Sequence, residues 1–168
     1  MTVFETERLA LRRFTLADAP FVLELLNDPD WHRYIGDRGV RTLQQAENYI
    51  VTVPMQMYDR LGFGLYLVEH KASGEPIGMC GLLKRDFLED VDLGFAFLAR
   101  HRAQGYALEA ALGTLGYARS ALGLGRVAAI VAPDNERSAR LLEKLGFRFE
   151  RMVSYPGETE QLRLFISR

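Results

Sequence analysis

The chain has 168 residues, with 21 Lys plus Arg against 22 Asp plus Glu for a net charge of -1; this length points to one domain spanning 1–168, and the charge balance gives no reason to expect nucleic acid. A hydrophobic fraction of 48% is too apolar for disorder, and the longest stretch free of charged residues, Asn48–Tyr58, has 11 residues against the roughly 20 of a membrane span. A single cysteine, Cys80, excludes an intrachain disulfide and a thiolate-cage zinc site, and Met1–Glu5 has neither a basic nor an apolar leader region, so a cytoplasmic location is expected.

In chain order, Arg8–Phe14 alternates Leu9 and Leu11 with Arg8 and Arg12 and reads as a half-buried strand. Thr15 caps an amphipathic helix over Leu16–Asn27, which Asp28-Pro29 stops. Thr42-Leu43-Gln44-Gln45 is a capping box opening a helix that runs towards Arg60, bent or broken near Pro54. Phe63–His70, Pro76–Lys84 and Val91–Leu98 read as three strands of an antiparallel meander. From Gly105 the period becomes helical, with Leu108, Ala111, Leu112, Leu115 and Leu122 in one apolar stripe. Gly123 and Gly125 end that helix, and Arg126–Ala132 suits a strand covered on both faces. Glu136–Leu145 is a helix closed by Gly146, and the strands Phe147–Ser154 and Gln161–Ser167 flank the turn dipeptide Pro156-Gly157. This order predicts an α+β (mixed α/β) class with one strand-helix-strand unit in the second half.

Arg102-Ala103-Gln104-Gly105-Tyr106-Ala107 stands where a strand hands over to a helix. Such a junction points free backbone N–H groups and the positive end of the helix dipole out of the sheet edge, which suits a pyrophosphate, and Gly105 lets the phosphate approach closely. Arg100, His101 and Arg102 add positive charge in the same turn. The competing reading is a plain connecting loop with a solvated basic face. A second polar-capped helix start, Asn135 with Ser138, follows the next strand and ends in Gly146-Phe147. Gly123-Leu124-Gly125-Arg126-Val127-Ala128 matches a dinucleotide fingerprint but leaves a helix to enter a strand, the reverse of the required order. His32, His70 and His101 are scattered and suggest no metal site, and Cys80 lies in an apolar run that suits a small buried thiol.

Arg-x-x-Gly-x-Ala at Arg102–Ala107, followed by Asn-x-x-Ser and Glu-Lys-Leu-Gly-Phe at Asn135–Phe147, resembles the acetyl-CoA-binding core of the GNAT N-acetyltransferases. The opening Thr6-Glu7-Arg8-Leu9-x-Leu11-Arg12 and the Gln-Gly-Tyr-Ala form of the loop are similar to the ribosomal-protein alanine acetyltransferase branch, and the resemblance covers nearly the whole chain. It implies a central, mostly antiparallel mixed sheet of six to seven strands flanked by about four helices. It also implies acetyl-CoA as cosubstrate, an amine acceptor that is a small molecule or a protein N-terminus, no metal, and a homodimer as one allowed assembly.

Carried onto this chain, the resemblance implies that Phe97, Leu98 and Ala99 hold the pantetheine arm by backbone contacts, with an amide near Leu98 facing the oxyanion. Arg102, Ala103, Gln104, Gly105, Tyr106 and Ala107 would take the pyrophosphate, and Asn135 with Ser138 would meet the pantetheine from the other side. Where many members carry a tyrosine that protonates the leaving thiolate, this chain has Leu142. Ser138, one turn earlier, then contacts the sulfur or is only a helix-face residue. Asp92 is the candidate base or an exposed strand-edge residue, with a water relayed to Asp37 or Glu89 as the alternative. Strand parity puts Asp92, Gly94, Ala96 and Leu98 on one face, and six steps of about 3.3 Å place the carboxylate about 20 Å from Leu98, so any proton transfer there needs ordered waters. A rival class is a binding module that keeps the acyl-CoA pocket without turnover.

Overall fold

Alternation of side chains along the strands decides how the molecule is layered. In the computed structural model, which describes residues 2–167, the strands β1 (Thr2–Glu5), β2 (Leu9–Arg12), β3 (Leu65–His70), β4 (Pro76–Leu83), β5 (Asp92–Phe97), β6 (Val127–Val131), β7 (Arg148–Val153) and β8 (Leu162–Ser167) form one mixed sheet. Their spatial order is β1-β2-β3-β4-β5-β6-β8-β7, and the β5–β6 pair is parallel while its neighbours are antiparallel. Leu65, Leu67, Met79, Leu83 and Leu98 turn one way, into a core with α1 (Ala19–Leu26), α2 (Pro29–Tyr34) and α3 (Leu43–Ile50). Tyr66, Val68, Cys80, Leu82, Leu93 and Phe97 turn the other way, towards α5 (Tyr106–Ser120) and α6 (Glu136–Lys144).

The mixed class and the strand-helix-strand unit β5-α5-β6 agree with the sequence. The sheet has eight strands rather than six or seven, because Thr2–Glu5 pairs with β2 as a short edge strand whose side chains show no clean alternation. The first helix starts later than expected, at Ala19, after a 3₁₀ turn over Leu16–Asp18. Asp28-Pro29 does end α1, and it also starts α2: Pro29 fills the first helical position, where no N–H is needed, and the Asp28 carboxylate accepts from the Asp30 N–H at 2.9 Å. The break at Pro54 is a π-helical turn, Val51–Met55, between α3 and α4 (Gln56–Leu61). Leu112 does not join the buried stripe of α5, being 53% exposed; the face towards the sheet is made by Ala110, Ala111, Thr114, Leu115 and Ala118, and Leu122 lies beyond the helix end. Small residues there bring α5 close to the sheet. Gly146 (φ +92°) closes α6 as expected, with the Phe147 N–H donating to Leu142 O at 2.9 Å.

Candidate active site

β5 and β6 pair at one register position, Asp92 opposite Ala128, where the Ala128 N–H donates to Val91 O at 2.8 Å. Beyond it the two strands separate. A cleft of about 1050 Å³ opens there, walled by β5, β6, α6 and the loop before α5, with residues of α2 and of the β7–β8 loop also lining it. The Leu98 N–H donates to Ile77 O at 3.1 Å, in register with the β4–β5 ladder. Because antiparallel pairs alternate, the main-chain groups of 92, 94, 96 and 98 face β4, and those of Leu93, Phe95 and Phe97 face the open side.

This corrects the expectation for Leu98: its amide is engaged by Ile77 and its side chain is buried, so the donors on this wall are the odd-numbered residues. Phe97 lines the cleft, whereas Leu98, Ala99 and Gln104 are not among the residues lining it. Arg102, Ala103, Gly105, Tyr106, Ala107, Asn135 and Ser138 are all brought to its wall.

The loop before α5 takes a shape that exposes its amides. Ala103 has φ +63° and Gly105 φ +82°, and among the described residues no protein group accepts from the N–H groups of 103–108. Three of these belong to the first turn of α5, where no intrahelical partner exists. The loop is fixed from outside by Arg8, which donates to Gln104 O at 3.0 Å, pairs with Glu109 at 2.7 Å and lies over the Tyr106 ring at 4.5 Å. Burial raises the Glu109 pKa, but hydrogen bonds from Thr6 and Arg8 outweigh it and hold the carboxyl below its ordinary value.

The positive charge of this turn is not free, contrary to expectation. Arg102 forks onto Asp28 and Asp30, 2.9 Å each, Arg100 pairs with Glu24 and Glu75, and His101 lies 3.2 Å from Glu75. Two basic residues that the sequence reading passed over, Arg140 and Lys144 of α6, line the cleft with no acidic partner among the described residues. Their spacing, one helical turn apart, was the available signal.

Asn135 caps α6, its Oδ1 accepting from the Ser138 N–H at 3.3 Å, which leaves its amide NH₂ for other partners. The half-buried Ser138 hydroxyl has no protein partner among the described residues. Leu142, one turn on, is wholly buried and belongs to the core as well as the cleft wall.

Asp92, the first residue of β5, also lines the cleft. It is not an exposed edge residue: it is 1% exposed, with Arg85 Nε 3.2 Å from both of its oxygens, and Arg85 Nη1 donates to the Tyr155 hydroxyl at 2.8 Å. Burial raises the Asp92 pKa above its ordinary value, and the Arg85 charge opposes the rise without cancelling it. Asp37 is tied to Arg41, whose hydrogen bonds hold its carboxyl down to about 2, which makes it a poor proton acceptor at neutral pH. The Cys80 thiol is wholly buried beside Thr114 and is pushed up to about 12 by desolvation, so it is no nucleophile.

The family model "Acetyltransferase (GNAT) domain" matches residues 8–148. The chain belongs to the GNAT acetyltransferase family. It is an acetyl-CoA-dependent N-acetyltransferase. This acetyltransferase is 32% identical over 151 residues to an uncharacterized N-acetyltransferase, YoaA, of Bacillus subtilis (strain 168), covering 88% of this chain and 84% of that one. It superposes on the crystal structure of an acetyltransferase from Agrobacterium tumefaciens str. C58 with a TM-score of 0.82 at 25% identity, covering 98% and 93% of the two chains. A ribosomal-protein-S5-alanine acetyltransferase from Vibrio fischeri (TM-score 0.72, 20% identity, 98% and 94% covered) has the same fold. So does a spermidine N-acetyltransferase chimera from Vibrio cholerae and hSSAT (TM-score 0.76, 18% identity, 96% and 95% covered). Likeness at that level is one of fold, and it singles out no branch of the family and no acceptor.

Proposed function

We propose that the acetyltransferase binds acetyl-CoA between β5 and β6 and passes the acetyl group directly to a primary amine, the α-amine of a protein N-terminus or a small-molecule amine, in a ternary complex. The observation that carries this is the separation of β5 from β6 beyond Asp92 and Ala128, with outward amides on one wall and six unengaged amides at the rim. Acetyl-CoA supplies an activated acyl carbon and a thiolate leaving group. The amides of Phe95 and Phe97 are the candidate donors to the thioester oxygen, whose charge grows as the amine attacks. The amides of 103–108 and the positive end of α5 suit the pyrophosphate, with Arg140 and Lys144 supplying positive charge along α6. Asn135 and Ser138 meet the pantetheine arm from the other wall.

An alkylammonium must lose a proton before it attacks, and the residue proposed to take it is Asp92, through ordered water, held in place by Arg85. Thiol release from acetyl-CoA, measured on peptides with free N-termini, polyamines, amino acids and amino sugars, tests the reading and names the acceptor. Initial rates varied in both substrates should give intersecting lines; parallel lines would mean a covalent acetyl-enzyme and sink direct transfer. A second reading, an acyl-CoA sensor without turnover, is favoured by Leu142, an apolar side chain where a proton donor is expected. Tight coenzyme binding with no turnover on any amine class would select it.

A further inference from the structure

The cleft has two lips, the loop before α5 and the turn before α6, and α2 bridges them. The Asp30 carboxylate is 2.9 Å from Arg102 Nη1 on one lip and 3.2 Å from Arg137 Nη2 on the other, and Arg33 reaches Asp134 at 3.3 Å. Arg102 uses its second edge for Asp28, the N-cap of α2, also at 2.9 Å. Immediately beside Asp30, Trp31 Nε1 of the same helix is enclosed without a hydrogen-bond partner among the described residues, and the enclosed His32 Nε2 makes no hydrogen bond and has Asp37 Oδ1 at 3.8 Å. Trp31 is 5% exposed and lines the cleft together with His32 and Arg33.

A guanidinium fork that fits a carboxylate fits a phosphate as well, and a phosphate brings more charge and more acceptor oxygens. Enclosed polar nitrogens without partners are a cost of the position α2 holds, and that cost disappears when the helix moves. We propose that α2 is a latch: Asp30 and the phosphates of the coenzyme compete for Arg102 and Arg137, so that coenzyme binding displaces Asp30, releases α2 and opens the cleft to the acceptor. This rests on the reading of the cleft as the coenzyme site. Asp28 keeps its edge of Arg102 throughout, so α2 swings about its own N-cap. The contacts that differ between the two positions are named ones, the Asp30 and Arg33 pairs in one and phosphate pairs in the other, which is what a ligand-driven shift requires. Coenzyme then binds before acceptor.

Trp31 is the single tryptophan of the chain, so its emission reports on the surroundings of α2, and a shift present in a variant before any coenzyme is added reports on the helix itself. The full-length protein is titrated with coenzyme A while the heat of binding and the Trp31 emission are recorded. A shift of emission to longer wavelength, saturating together with the heat, is expected. Asp30→Asn should show the shifted emission before any coenzyme is added and should bind coenzyme A about threefold or more tightly, because its competitor is gone. Arg33→Glu, which sets two acids face to face across the same gap, should move the emission in the same direction, and it serves if Asp30→Asn does not fold. Heat without any change in Trp31 emission overturns the latch and leaves the coenzyme site standing, as does an Asp30→Asn protein with wild-type emission and weaker binding. No heat at all overturns the coenzyme reading and the latch with it.

Discussion

Arg85 Nε stands 3.2 Å from each carboxylate oxygen of Asp92, and the pair sits where β5 leaves β6, with Asp92 1% exposed. Removing the cation while keeping the stem, as in Arg85→Met, leaves a buried carboxylate without its partner, a change that costs about 3–5 kcal/mol in comparable pairs. The Asp92 pKa is already raised by burial, so the folded protein holds this proton more tightly than the unfolded chain, and the contribution of Asp92 falls as pH rises through that window. Loss of Arg85 widens the window upward. Urea unfolding of Arg85→Met should therefore show a large deficit at pH 8 that shrinks towards pH 5; an equal deficit at both would mean that Arg85 acts only through packing.

The loop before α5 can be tested at one position. Gly105 has φ +82°, and a Cβ there would lie 3.3 Å from Arg8 Nη2, so Gly105→Val strains the backbone and pushes on the residue that anchors the loop. The site is exposed, so the fold should survive. Acetyl-CoA affinity should fall tenfold or more, about 1.4 kcal/mol. Calorimetry on the folded variant decides, and unchanged affinity would remove the loop amides from the coenzyme site.

What could be read in advance was what the chain decides locally. Gly105, the Asn135 cap and Gly146 follow from backbone rules that act within a few residues, and each stands where the sequence put it. The partners of Arg102 could not be read this way, because Asp28 and Asp30 come from a helix more than 70 residues earlier and nothing in the turn itself points to them. The same holds for Tyr155 on Arg85. Leu98 shows a subtler limit. Side-chain parity is written in the sequence, but which edge of β5 each amide faces depends on the phase of its pairing with β4, and that phase puts Phe95 and Phe97 on the open side.

Ser138 is the hydroxyl nearest along α6 to the position that Leu142 fills with an apolar side chain. A positioned proton donor contributes about 10²–10⁴ in rate, whereas a thiolate of ordinary basicity leaves without one. Ser138→Ala should therefore lower turnover by less than about tenfold, within the range of a lost contact rather than a lost acid. Steady-state kinetics with saturating acetyl-CoA checks this, and a hundredfold fall in kcat at unchanged coenzyme affinity would make Ser138 the acid after all.

Asp92→Asn separates the two roles that the buried carboxylate can have. If Asp92 takes the proton of the incoming ammonium through water, the variant loses most at low pH, where nearly all amine is protonated, and regains rate as pH rises and free amine forms in solution. If Asp92 instead only holds Arg85, and through it the Tyr155 hydroxyl at 2.8 Å, the carboxamide leaves that cation unbalanced at every pH and loosens the β7–β8 loop that lines the cleft. The amine KM would then rise by the same factor across the profile, with kcat little changed. We expect the first pattern, with the loss at pH 6.5 exceeding that at pH 9 by about tenfold for an amine of ordinary basicity. Profiles of kcat and kcat/KM for wild type and variant, recorded with one acceptor over that range, tell them apart, and a uniform rise in KM would reassign Asp92 from proton acceptor to positioning residue.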